Sequence, residues 1–199
     1  MRRTMLFLPG NTPNMLINGD TLGADTVIFD LEDAVSPDEK DAARILVRNA
    51  LKYQNFSGCE VVVRNNPTDT EFWKEDLDAV IPLKPDMIMP TKVSGGEMIR
   101  EVSAYMGQVE ERSGIEKGSV KILPLIETAL GVEKAFEIAS SDVRVAGLFL
   151  GGEDFTADMH CKRTKEGQEI FYARTRLVCA ARAWGIEAYD TPFTDVEDM

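Results

Sequence analysis

The sequence predicts an α/β fold built on a parallel sheet. Three observations carry this. Short apolar, β-branched runs recur along the chain. They are near-continuously apolar, as strands buried on both faces are. Longer amphipathic stretches separate them, giving a repeated β/α order with strands roughly 20 to 40 residues apart.

Taken in order, strands are predicted at 4–8, 26–30, 60–64, 86–90, 120–125, 145–150 and 186–190. Thr12-Pro13 opens a helix that runs toward Leu22. A second helix starts after Ser36, with Ser36 at the N-cap, Pro37 at N1 and Glu39 completing a capping box. Ala43, Leu46, Val47, Ala50 and Leu51 form its apolar stripe. Ser94 and Glu97 form another capping box before a helix over 95–113. The last helix spans 167–184, with Ile170, Ala173, Leu177, Val178, Ala181 and Trp184 on one face and Gly185 as its stop. Two architectures satisfy this pattern: an open doubly wound sheet and a (β/α)₈ barrel. A barrel takes about 250 residues. The sequence has 199 and runs out just after the seventh predicted strand, so a barrel here is expected to be truncated, one domain over 1–199.

A net charge of −12 without a basic stripe argues against nucleic acid. Cys59, Cys161 and Cys179 lie far apart with no CxxC spacing, which disfavours zinc and dithiol chemistry. The apolar run before Pro9-Gly10 is about four residues, shorter than a signal-peptide core, and no segment approaches a membrane span. A cytoplasmic protein is expected.

The strand tips hold the polar residues that an α/β protein uses for chemistry. They are Pro9-Gly10-Asn11; Asp30, Glu32 and Asp33; Arg64-Asn65-Asn66; Pro90-Thr91-Lys92; Glu127-Thr128; Gly151-Gly152-Glu153-Asp154; and Asp190-Thr191. Carboxylates without histidine or cysteine partners select a hard divalent cation, Mg²⁺ or Mn²⁺. Two glycines at a strand-to-helix turn let backbone N–H groups approach a substrate carboxylate. Arg64 offers a planar fork to a carboxylate or a developing oxyanion. The set suits an oxo-acid. His160, the one histidine, is expected in a solvated loop. No GxGxxG or P-loop occurs.

The runs RRTMLFLPGNTPNM, VIFDLEDAVSPDEKDAAR, VVVRNN, LPLIET, LGGEDFTADM and EGQEIFYARTRLVCAARAWGIEAYDTPFTDVEDM resemble the citrate lyase beta subunits (citryl-acyl-carrier lyases) of the wider HpcH/HpaI aldolase and malyl-CoA lyase superfamily. The resemblance implies a TIM barrel, in trimers or hexamers, lacking here an eighth β/α unit and a C-terminal lid. It implies Mg²⁺ on Glu127 and Asp154, with Glu32 and Asp33 orienting metal-bound waters and Asp30 supporting the turn. Arg64 is implied as the contact to the oxo-acid, and Gly152, Glu153 and Asp154 as the substrate-carboxylate loop. The implied reaction is a retro-Claisen cleavage of a citryl thioester to oxaloacetate and an acetyl thioester, alongside other citrate lyase subunits. Two alternatives stay open: a stand-alone malyl- or citramalyl-CoA-type lyase, and an inactive barrel that binds oxo-acid and metal only. The carrier, coenzyme A or an acyl-carrier protein, is open as well. Strand four departs from the family, which usually has Pro-Lys where this chain has Pro90-Thr91-Lys92.

Overall fold

In the computed structural model, residues 2–194 are described. Met1 and the last five residues of the final family-like run lie outside them. The chain forms two compact units. One comprises the chain up to Thr91 with Glu101–Ile122; the other comprises Lys92–Arg100 with the chain from Leu123 onward.

The first unit is a five-stranded parallel sheet of order β1-β2-β3-β4-β5. In chain order the elements are β1 (Met5–Pro9), α1 (Pro13–Asn18), β2 (Thr26–Asp30), α2 (Lys40–Tyr53), β3 (Glu60–Asn65), α3 (Phe72–Val80), β4 (Met87–Pro90), α4 (Gly96–Arg112) and β5 (Lys121–Ile122). The start of α4, up to Arg100, belongs to the second unit. β2 is buried along its whole length, and Val62 and Val63 of the adjacent β3 and Ile88 and Met89 of β4 beyond it are fully enclosed. Strands this apolar need cover on both faces, which α2 supplies in part through Ala43, Val47 and Ala50. Strand order follows chain order without a reversal. The doubly wound alternative needs a switch point where the order reverses, and this sheet has none.

The second unit carries a three-stranded parallel sheet, β6-β7-β8. Its elements are β6 (Leu125–Ile126), α5 (Ala129–Glu133), α6 (Ala135–Ala139), β7 (Gly147–Leu150), α7 (Gly152–Asp158), α8 (Phe171–Trp184) and β8 (Glu187–Tyr189). Among the described residues no helix is long and apolar enough to cross a membrane.

Four local expectations are corrected. The single strand expected over 120–125 is two, β5 and β6, assigned to different sheets. Pro124 sits in the break and has no N–H to continue a ladder. The Ser36–Glu39 capping box is absent. A short 3₁₀ turn over Pro37–Glu39 precedes α2, and the Ser36 hydroxyl donates to the Glu39 carboxylate at 3.3 Å instead of accepting from a backbone N–H. The first helix ends at Asn18 and continues as 3₁₀ turn to Leu22. On α8, Ala173, Leu177 and Ala181 are buried as expected, but Val178 and Trp184 are each 49% exposed. Gly185 does end the helix, in the left-handed region at φ 68°, and Ile186 N–H closes back on Ala181 O at 3.0 Å.

Candidate active site

In the first unit the parallel register sets Asp30 of β2 directly beside Arg64 of β3. Both side chains leave the C-terminal tips of neighbouring strands. Arg64 Nε donates to Asp30 Oδ1 at 2.7 Å and Nη2 donates to Asp30 Oδ2, a bidentate pair. Nη1 lies 3.2 Å from Glu32 Oε2 and 3.9 Å from Asp33 Oδ2. The guanidinium also stacks over the Phe7 ring at 5.2 Å. Burial by itself lowers the Arg64 pKa. The Asp30 hydrogen bonds and the charges of Asp30, Glu32 and Asp33 outweigh it, so the net shift is upward and Arg64 stays cationic.

Asp30 has a second task. Its carboxylate accepts from the N–H of Glu32 at 2.8 Å and of Ala34 at 3.3 Å. It therefore shapes the acidic turn and orients the arginine at once. Glu32 is buried and accepts from Asp33 N–H at 3.0 Å, while the Asp33 side chain is 53% exposed.

Lys40 completes this cluster, and the sequence reasoning passed it over. Its ammonium donates to Leu31 O at 2.8 Å and Glu32 O at 2.6 Å, pinning the acidic turn from below. Burial lowers its pKa against the opposing charges of Glu32, Asp76, Asp30 and Asp33. The available signal was position: Lys40 falls on the same helical face as Ala43, Val47 and Ala50, a lysine on a buried stripe. Asp76 was missed too. Fully buried on α3, it accepts from Asn66 N–H at 3.0 Å and from Arg44 Nε at 3.0 Å, which fixes the tip of β3.

The second unit holds the other candidates. Glu127, at the tip of β6, is 3% exposed. Gly151 opposes it so closely that a Cβ there would sit 2.7 Å from Glu127 Oε2, so only glycine leaves room for that carboxylate. Lys92 follows the tip of β4. Its N–H donates to Glu127 Oε1 at 2.7 Å, and its ammonium lies 3.7 Å from Asp154 Oδ2. Lys92 adopts the left-handed conformation, φ 53°, which costs a residue with a Cβ about 1–2 kcal/mol.

The Gly151-Gly152 turn differs from expectation. Gly151 N–H donates to Ile126 O at 2.9 Å and Gly152 N–H to Thr191 Oγ1 at 2.9 Å. Both N–H groups are thus used to pack the turn against β6 and the tip of β8. A Cβ on Gly152 would meet Thr191 Oγ1 at 2.5 Å. Glu153 and Asp154 then begin α7. The Glu153 carboxylate turns to Arg163 Nε at 3.5 Å, away from Lys92 and Asp154. His160 is exposed, as expected, and Cys59, Cys161 and Cys179 are all free thiols.

Among the described residues no group of three or more histidine, cysteine or acidic side chains gathers as a metal cage. Glu127 and Asp154 do fit a hard divalent cation. They supply two carboxylates and no soft donor; Asp154 already faces the Lys92 ammonium at 3.7 Å, and Glu127 accepts the Lys92 backbone N–H at 2.7 Å. A cation held by two protein carboxylates takes its remaining ligands from water and substrate.

A parallel α/β fold with acids and an arginine at its strand tips defines a class of enzyme-like folds. The particular family follows from comparison. The HpcH/HpaI aldolase/citrate lyase family profile matches residues 3–199, and the chain belongs to that family. It is 44% identical to citrate lyase subunit beta of Leuconostoc mesenteroides subsp. cremoris over 198 residues, which is all of this chain and 66% of that protein. This chain thus spans about two thirds of that relative's length. The citrate lyase beta subunit of M. tuberculosis, solved with oxaloacetate and magnesium, superposes with a TM-score of 0.80 at 27% identity, covering 99% of this chain and 82% of that one. The Mycobacterium tuberculosis protein CitE, solved with magnesium, acetoacetate and coenzyme A, matches with a TM-score of 0.79 at 27% identity over 100% of this chain and 69% of that one.

Proposed function

We propose that this chain carries the machinery of a Mg²⁺-dependent carbon–carbon lyase of the citrate lyase beta type. It cleaves a citryl thioester into oxaloacetate and an acetyl thioester. The observation that carries the reading is that one residue, Lys92, meets buried Glu127 through its N–H and Asp154 through its ammonium, with Gly151 making room for the Glu127 carboxylate. The metal- and oxo-acid-bound relative supports it. For the fold we infer one β/α domain of the TIM-barrel type over 1–199, short of the full eight β/α units, on the sequential parallel order within each sheet. Oligomers, trimers or hexamers, and other citrate lyase subunits are the proposed protein partners.

When bound, Mg²⁺ supplies Lewis-acid polarisation of the oxo-acid oxygens. The residues of the chain do the rest. Glu127 and Asp154 would hold the cation. Arg64, cationic and held by Asp30, offers N–H groups to the oxygen that becomes the oxaloacetate carbonyl. In the cleavage the substrate hydroxyl loses its proton, the carbon–carbon bond breaks, and the electron pair leaves on the thioester as its enolate. Protonation of that enolate gives the acetyl thioester. Glu32 and Asp33 would orient waters of a bound cation.

The carrier is either coenzyme A or an acyl-carrier protein, and the coenzyme A complex of the M. tuberculosis relative favours testing the first. Citryl-CoA and malyl-CoA are offered with Mg²⁺, and oxaloacetate and glyoxylate are measured. Oxaloacetate from citryl-CoA is the expected result. Glyoxylate from malyl-CoA alone points to a stand-alone acyl-CoA lyase. No turnover with Mg²⁺-dependent oxaloacetate binding leaves a binding protein. Asp154→Ala is expected to abolish that Mg²⁺-dependent binding in calorimetry; persistence of binding overturns the metal assignment.

A further inference from the structure

We infer that Lys92 is a built-in counter-ion to Asp154 that competes with the metal for that carboxylate. This rests on the reading of Glu127 and Asp154 as the cation pair. Three independent features converge on Lys92. Its backbone is left-handed at φ 53°, a conformation that favours glycine or asparagine. That conformation aims its N–H at Glu127 Oε1, 2.7 Å away. Its side chain places the ammonium 3.7 Å from Asp154 Oδ2. The N–H function needs only the backbone, and glycine would provide it with less strain. What the long cationic side chain adds at this position is a charge beside Asp154.

A cation beside a carboxylate favours its charged form. In the protein without metal the Lys92 ammonium supplies that charge to Asp154, 3.7 Å away. A divalent cation entering the pair must displace the ammonium, which sits on a flexible stem and is 42% exposed, so it has solvent to move into. Lys92 thus holds Glu127 through its N–H and Asp154 through its charge before the metal arrives, and that charge opposes metal binding. It is a positioning residue by this account, not a catalytic one.

The test is calorimetric titration of Mg²⁺ alone into the unaltered chain, Lys92→Met and Lys92→Arg, with thermal unfolding in EDTA and in Mg²⁺. Lys92→Met is expected to bind Mg²⁺ about three- to tenfold more tightly, because a repelling charge is gone. In EDTA its Tm is expected to fall by about 2–4 °C, and Mg²⁺ to restore it. Lys92→Arg keeps the charge and is expected to follow the unaltered protein in both measurements. If the unaltered chain binds Mg²⁺ and Lys92→Met binds it equally or more weakly, the counter-ion role is overturned while the metal assignment stands. If the unaltered chain shows neither Mg²⁺ heat nor a Mg²⁺-dependent Tm, the metal pair itself is overturned and this inference with it. Should Lys92→Met not fold, Lys92→Gln replaces it, with the same expected sign.

Discussion

At the scale of single residues, the acids of the first unit are not interchangeable. Asp30 is 3% exposed in its side chain, grips a buried arginine and holds the turn; Asp33 is 53% exposed and touches Arg64 only at 3.9 Å. Asp30→Asn takes its bidentate charge partner from a buried guanidinium, leaving Glu32 at 3.2 Å as the nearest carboxylate, and about 3 kcal/mol of stability is expected to be lost. Asp33→Asn is expected to cost less than about 0.5 kcal/mol, as exposed charge changes do. Urea unfolding midpoints compare the two, and equal losses refute the assignment. Lys40 is the second test. Replacing it with methionine leaves the Leu31 and Glu32 carbonyls without their donor, and about 1–3 kcal/mol is expected to disappear in the same assay.

At the scale of elements, two turns define the second unit. Gly151→Ala places a methyl group 2.7 Å from the Glu127 carboxylate, so the tips of β6 and β7 must separate. A loss of about 1–3 kcal/mol in unfolding is expected, together with loss of Mg²⁺ binding. Unchanged Mg²⁺ binding shows that Glu127 does not depend on this approach. The turn before α8 is tied by Glu169, whose carboxylate accepts from Thr164 N–H at 2.9 Å, from the Thr164 hydroxyl at 2.7 Å and from Arg163 Nη1 at 2.7 Å. The Thr164 N–H, followed by its hydroxyl, holds the Glu169 pKa down to about 2 from its ordinary 4.5. A depressed carboxylate stabilises the fold above its ordinary pKa, and that contribution disappears as pH falls through 4.5 toward 2. The protection of the Thr164 amide, its exchange relative to the intrinsic rate at each pH, is expected to fall over this window, and Glu169→Gln to remove that fall. Unchanged Thr164 protection across the window in the unaltered chain contradicts it.

At the scale of the whole molecule, each sheet has two outer strands among the described residues, β1 and β5 in one, β6 and β8 in the other. Outer strands carry unpaired backbone groups that invite association. Size-exclusion light scattering is expected to give a mass above the 22.1 kDa of one chain; a well-folded monomer contradicts this. Much of this organisation is legible in the sequence. The period of the apolar runs marks β2, β3 and β7, and the stop at Gly185 is readable, because these are local patterns of side-chain spacing and backbone preference. The strand-tip residues are legible for the same reason: a strand ends where its apolar run ends. Three things required the folded chain. Pro124 reads locally as part of one strand, and only its two neighbours in different sheets reveal a break. Asp30 reads as one acid among three, and only the register beside Arg64 makes it the arginine's holder. Lys92 reads as a displaced family lysine; its left-handed backbone and its place between Glu127 and Asp154 come from chain segments 35 and 62 positions away in sequence. By itself the sequence determined the family, the strand tips and the types of group at them. Tertiary structure decided which of those groups meet, because charge pairing and close approach depend on distance in space, which spacing along the chain does not contain.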